Sequence, residues 1–128
     1  MKILLDTVAI YRAATHPESL PDGARSVLDD ESHSLFISVV SAWELTIKSS
    51  LGKLPMPSPI EDFFPQVARD LLAQQVGLEL KAIGRLAQLP GHHADPFDRL
   101  LIAQALVEEW AVMTSDARFT EYGVRVVW

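Results

Sequence analysis

The chain predicts an α/β fold in which a mostly parallel sheet carries helices on both faces. Three observations carry this reading. Lys2–Leu5, Leu35–Ser38 and Ala111–Thr114 are short apolar runs of the kind buried on both faces of a parallel sheet. Helical stretches separate them at spacings long enough for crossover connections. At 128 residues the chain is long enough to bury a real core, and it reads as one domain spanning residues 1–128.

Taken in order, Lys2-Ile3-Leu4-Leu5 forms the first strand and stops at Asp6-Thr7. Val8 to Ala14 is expected to be a short helix, His16-Pro17-Glu18-Ser19 a turn, and Pro21 to Asp30 a second helix. After the strand at Leu35–Ser38, Ser41 and Glu44 have the spacing of a capping box, so the next helix is expected to begin at Ser41. Gly52 stands where a helix would end, and three prolines between Lys53 and Pro59 make a connector. A helix from Ile60 is expected to be perturbed at Pro65 and to run to about Gln75, followed by a short strand over Val76–Leu80 and a helix over Ala82–Gln88.

Asp95-Pro96 then opens the most apolar helix of the chain. Asp95 has the side chain of a good N-cap, and Pro96 occupies the first helical position, where its missing N–H costs nothing. Leu100, Leu101, Ala103, Ala105 and Leu106 make the helix apolar nearly all round, as in a covered element. The last strands are Ala111–Thr114, ending at Ser115-Asp116, and Val124–Val127.

Composition narrows the function classes. No run of eighteen apolar residues exists, so no transmembrane helix is expected, and the start of the chain lacks the pattern of a signal peptide. The absence of cysteine removes disulfides and thiolate metal sites and fits a cytoplasmic protein. Eleven Lys+Arg against seventeen Asp+Glu give a net charge of −6, the opposite of a surface built to grip long duplex nucleic acid.

Four acids share one positional logic. Asp6 and Asp116 follow strands directly, while Glu44 and Asp98 lie early in helices that follow a strand or a loop. In a parallel sheet all four would gather near the carboxyl edge, where open α/β sheets place their ligands. Each also has a sufficient structural reason by itself. Glu44 would complete a capping box, Asp98 would gain from the helix dipole, Asp116 would cap a short helix, and Asp95 needs no role beyond its cap. Together they would repel unless a cation sat among them, and hard oxygen donors favour Mg²⁺ or Mn²⁺ over zinc. His92 and His93 precede Asp95, where a loop histidine orients an acid or ligates a metal. Trp43, Trp110 and Trp128 read most simply as core or interface residues.

These residues carry a resemblance. Leu4-Leu5-Asp6-Thr7, Ile37-Ser38-Val39-Val40-Ser41-Ala42-Trp43-Glu44-Leu45 with Lys48, His93 to Ala105, and Met113-Thr114-Ser115-Asp116 with Phe119 and Tyr122-Gly123 resemble the PIN-domain family. More narrowly, the chain looks like the VapC-type ribonuclease toxins of bacterial toxin–antitoxin pairs. The resemblance implies a PIN-like three-layer sandwich and an acidic pocket that binds Mg²⁺ or Mn²⁺ and cleaves RNA. It further implies a homodimer held in check by a cognate antitoxin. Asp6, Glu44, Asp98 and Asp116 become the metal-binding and catalytic acids, with Thr7, Thr114 and Ser115 as polar neighbours. Asp95 and Arg99 are supporting residues, and Arg99, Arg12, Lys48 and Arg118 are candidates to meet the RNA backbone. The alternatives are a catalytically silent PIN domain acting as a binding module and a PIN-fold nuclease for another nucleic acid. Many relatives carry a histidine after the Asp-Thr pair, where this chain has Val8.

Overall fold

The computed structural model describes residues 1–128. Its strands are β1 (Lys2–Leu5), β2 (Ser34–Ser38), β3 (Gln74–Val76), β4 (Ala111–Met113) and β5 (Val126–Val127). The helices are α1 (Thr7–Thr15), α2 (Asp22–Asp29), α3 (Val39–Ser50), α4 (Ile60–Asp70), α5 (Leu80–Leu86) and α6 (Pro96–Glu108). Short 3₁₀ segments lie at Pro17–Ser19 and Ala117–Tyr122. The five strands form one sheet in the order β3-β2-β1-β4-β5, and every pairing is parallel. No helix is long and apolar enough to cross a membrane.

The period-two alternation of each strand divides the core between the two faces. Ile3 and Leu5 of β1 join Leu35, Ile37, Ala111 and Met113 under α1, α3 and α4. Leu4 joins Phe36 and Val112 on the other face, under Leu101, Ile102 and Ala105 of α6 and against Phe119. These are the three layers the resemblance implies. The strand order also matters: the chain winds outward from β1 to β3, then returns to the other side of β1 for β4 and β5. The switch point therefore lies at the carboxyl end of β1, beside Asp6.

Three local expectations are corrected. Helix α3 begins at Val39, and Ser38 is its cap, its hydroxyl accepting the Val40 N–H at 3.1 Å. Ser41 and Glu44 are thus buried inside the helix and form no capping box. A serine at the end of β2 could cap as well as one three residues on, and the buried apolar Val40 decided between them. Helix α4 continues through Pro65, because losing one early backbone bond costs less than giving up the buried face of Phe63, Phe64, Val67 and Ala68. It ends at Asp70, and β3 starts at Gln74, earlier than the apolar pattern indicated.

Helix α6 is buried without a break from Leu100 to Ala105, with polar Gln104 in its midst. Gln104 is satisfied on both ends. Its Oε1 accepts from the Ser38 hydroxyl at 2.6 Å, and its Nε2 donates to the Gly77 carbonyl at 3.0 Å. The amide thereby ties α6 to the end of β2 and to the loop after β3. Gln104→Leu is expected to destabilise the fold by about 1–3 kcal/mol in urea titration, because it leaves the O–H of the fully buried Ser38 without its acceptor. Equal stability of the variant would show that the link contributes nothing.

Candidate acidic active site

Each predicted acid is delivered to the carboxyl edge by the element that precedes it. Asp6 follows β1 and caps α1, its Oδ1 accepting the Ala9 N–H at 2.8 Å. Glu44 comes from the second turn of α3. Asp95 caps α6 by accepting from the Phe97 and Asp98 N–H groups at 2.8 and 3.3 Å, which sets Asp98 in the first turn. Asp116 follows β4 and caps the last 3₁₀ segment through the Arg118 N–H at 3.0 Å. Asp6, Asp95 and Asp116 thus cap helices at the same edge, whereas Glu44 reaches it from inside α3 with no capping role.

The cluster is unequal. Its tightest part is Asp98, Asp116 and His93, whose potential ligand atoms lie within 4.8 Å of one another. His93 is buried and its Nε2 stands 3.0 Å from Asp98 Oδ2 and 2.8 Å from Asp116 Oδ2. Its Nδ1 accepts the Asp95 N–H at 3.1 Å, so the neutral ring carries its proton on Nε2 and donates it toward the two carboxylates. The sequence held the signal for this in a histidine two residues before an N-cap, but not the direction of its ring.

Asp6 and Glu44 stand farther off and are more deeply buried. Glu44 accepts from the Thr7 hydroxyl at 2.6 Å and from Lys48 Nζ at 2.5 Å, with Ser41 Oγ 2.9 Å from Thr7 Oγ1. Thr114 lies close enough to Asp6 to lower its pKa, and its Oγ1 accepts the Asp116 N–H at 3.0 Å. Thr7 and Thr114 are thus linked to the acids, whereas Ser115 is exposed beside them. Arg99 faces away from the acids. Its guanidinium donates to the Pro90 carbonyl at 2.8 Å and reaches the Leu89 and His93 carbonyls and the Tyr122 hydroxyl. It braces the loop that carries His93. Trp43, half exposed, packs edge-on against Phe97 at 5.0 Å between centroids, so it borders the site and lies outside the core.

The electrostatics follow from crowding. Burial, followed by the charges of Asp95, Glu44, Asp6 and Asp116, pushes the Asp98 carboxyl up to about 7. Burial also raises Asp6, opposed by the hydrogen bonds from Thr114 and Ala9 and reinforced by Glu44 and Asp116. Asp116 goes the other way, to about 2, because Arg118 donates to it through its side chain and its backbone N–H, and His93 adds a further bond. For Lys48, burial opposes the charged form, but Glu44 and the charges of Asp95 and Asp98 outweigh it and raise its pKa. If all five carboxylates were ionised they would exceed the permanent cations Lys48 and Arg118 by three, an excess that the raised Asp98 relieves by holding a proton. Carboxylate oxygens with an excess of negative charge fit a hard divalent cation such as Mg²⁺ or Mn²⁺, and His93, whose two ring nitrogens are both engaged, orients the carboxylates.

Comparison with known proteins places this architecture. The PIN-domain family profile matches residues 3–124, nearly the whole chain. This chain belongs to the PIN-domain family. Among characterised relatives of this PIN domain, Ribonuclease VapC22 of Mycobacterium tuberculosis is 24% identical over 121 residues, covering 94% of the chain and 91% of the relative. Ribonuclease VapC16 of the same organism is 37% identical over 57 residues, covering 42% of the chain and 40% of the relative. The PIN-domain fold is shared with VapBC2 from Rickettsia felis bound to a promoter DNA fragment, at a TM-score of 0.74 and 15% identity, covering 98% of this chain and 97% of that one. It is also shared with FitAcB from Neisseria gonorrhoeae, at 0.67 and 17%, covering 97% and 95%.

Proposed function

We propose that this PIN domain is a divalent-metal-dependent endoribonuclease of the VapC type, the toxin of a toxin–antitoxin pair. The observation that carries the proposal is the convergence of Asp6, Glu44, Asp98 and Asp116 at one sheet edge, with Asp98 raised to about 7 by burial and by the charges of its neighbours. The relatives named as VapC ribonucleases support the reaction class, and the VapBC complexes on the same fold support an antitoxin partner. A homodimer and action in the cytoplasm belong to the same reading.

Asp98 and Asp116, linked through the Nε2–H of His93, would hold the cation most closely, with Asp6 and Glu44 completing the acidic lining. A cation bound there supplies Lewis-acid activation of water and charge stabilisation at phosphorus. The protein's own groups do the positioning. Asp95 fixes the first turn of α6 and thereby Asp98, while its N–H holds the tautomer of His93. The Thr7 hydroxyl and Lys48 hold Glu44 in place. Asp98, whose carboxyl is raised to about 7 in the metal-free protein, is the carboxylate that a bound cation would ionise.

The reading is tested by incubating the purified protein with single-stranded RNA. Cleavage is expected with Mn²⁺ or Mg²⁺ and none in excess EDTA. Cleavage that persists in EDTA removes the metal from the mechanism. RNA left intact under all conditions, with tight binding to a partner protein, would make the chain a silent binding module.

A further inference from the structure

A cleft of about 400 Å³ opens beside the acids, between α1, α3 and the connector that follows it. Its walls are mainly apolar, from Val8, Tyr11 and Leu54, while Arg12, His16 and Lys48 supply polar nitrogen groups. It is continuous with the acidic pocket through two residues that line both. Thr7 donates to Glu44 at 2.6 Å, and Lys48 meets the same carboxylate at 2.5 Å. The mechanism above leaves the cleft unused.

We propose that this cleft is the subsite for one nucleoside of a single-stranded RNA, next to the phosphodiester held at the acids. The inference rests on the nuclease reading. Apolar walls with a few convergent polar groups form the usual lining of a small-ligand cleft, and they suit the face of a base. Lys48 is taken up by Glu44, so Arg12, which makes no ion pair with a carboxylate, is the cation this lining offers a polyanion, against Glu18. The side chains are already held. The Arg12 guanidinium lies 5.7 Å from the centre of the Trp128 ring, and the Tyr11 hydroxyl donates to the Pro55 carbonyl at 2.7 Å. Val8 stands at the mouth, 44% exposed, in the position after the Asp-Thr pair. Because Thr7 and Lys48 border both the cleft and the acids, the nucleoside next to a phosphate held at the acids would meet this opening, which favours a nucleotide over a protein segment as its occupant.

The test uses Val8→Trp, which fills the mouth from an exposed position, and Arg12→Ala, which removes a cation without adding bulk. Thermal melts of both establish that they fold. Binding of a fluorescein-labelled pool of random hexaribonucleotides is measured with Ca²⁺ in place of Mn²⁺, and the cut sites in a random RNA are sequenced after digestion with Mn²⁺. Both variants are expected to bind RNA about 10-fold or more weakly, to raise KM with little change in kcat, and to lose base preference at one position flanking the cut. A wild-type protein that cleaves, with binding and base preference untouched by either variant, overturns the subsite and leaves the nuclease standing. Wild-type binding that both variants abolish, without any cleavage, supports the subsite and removes the nuclease. A wild type that neither binds nor cleaves removes both. Loss of affinity for a protein partner with unchanged RNA behaviour makes the cleft a protein-docking groove and overturns the proposal.

Discussion

Asp98→Asn is expected to lower RNA cleavage by at least about 100-fold at saturating Mn²⁺ while leaving the fold intact. The two effects have one cause. Asp98 is held by its helix start against Asp116 and His93, and its charge is the one its neighbours oppose most. The amide keeps the shape and removes the charge, so the variant should lose its hold on the cation and melt at a higher temperature than wild type in EDTA at pH 8. Asp95→Asn is the contrasting substitution. Asparagine caps a helix nearly as well as aspartate, so α6 and the placement of Asp98 survive, and activity should stay within about 10-fold of wild type. Wild-type cleavage by Asp98→Asn would sink the assignment. A loss in Asp95→Asn as deep as that in Asp98→Asn would promote Asp95 from cap to ligand.

The metal-free protein should lose stability as pH rises, the reverse of the usual behaviour of paired carboxylates. The carboxyl of Asp98 is raised from 3.8 to about 7 in the fold, and Asp6 is raised as well. A raised carboxyl is a group the native state prefers protonated. Its contribution is complete below the unfolded value and is lost as pH climbs to the folded one. Asp116 has the opposite sign: lowered to about 2, it contributes above the unfolded value and loses that contribution as pH falls toward 2. Between pH 4 and pH 7 the raised groups therefore dominate the local balance. Allowing for the partial exposure of Asp98, the loss is on the order of 2 kcal/mol, or about 5–10 °C in melting temperature. Scanning calorimetry in EDTA from pH 5 to 8 should show the fall, and Asp98→Asn should flatten it. Added Mn²⁺ should raise the melting temperature more at pH 8 than at pH 5, where it must displace protons. A flat or rising profile in EDTA would mean that the acids are less crowded than the geometry indicates.

Legibility differed from element to element. Helix α6 could be read almost to the residue, because Asp95, Pro96 and the apolar run act locally and agree with one another. The start of α3 could not, since Ser38 and Ser41 are equivalent as caps until the depth of Val40 and Ser41 in the core is known. The strand β3 is a polar edge of three residues, with no hydrophobic alternation to announce it. Gln104 stands within an apolar run, and only its two distant partners explain it.

The same division runs through the site. The sequence alone determined that acids follow strands, that Asp98 sits one turn after a capped helix start, and that no cysteine chemistry is available. These are properties of neighbouring residues and of period. Tertiary structure decided how the acids rank: which carboxylates meet across His93, that Lys48 is already engaged with Glu44, and that Arg99 braces a loop rather than facing the pocket. It decided these because charge–charge energies and burial depend on distances between residues far apart in the chain, set when α3, α6 and β4 converge on the end of β1.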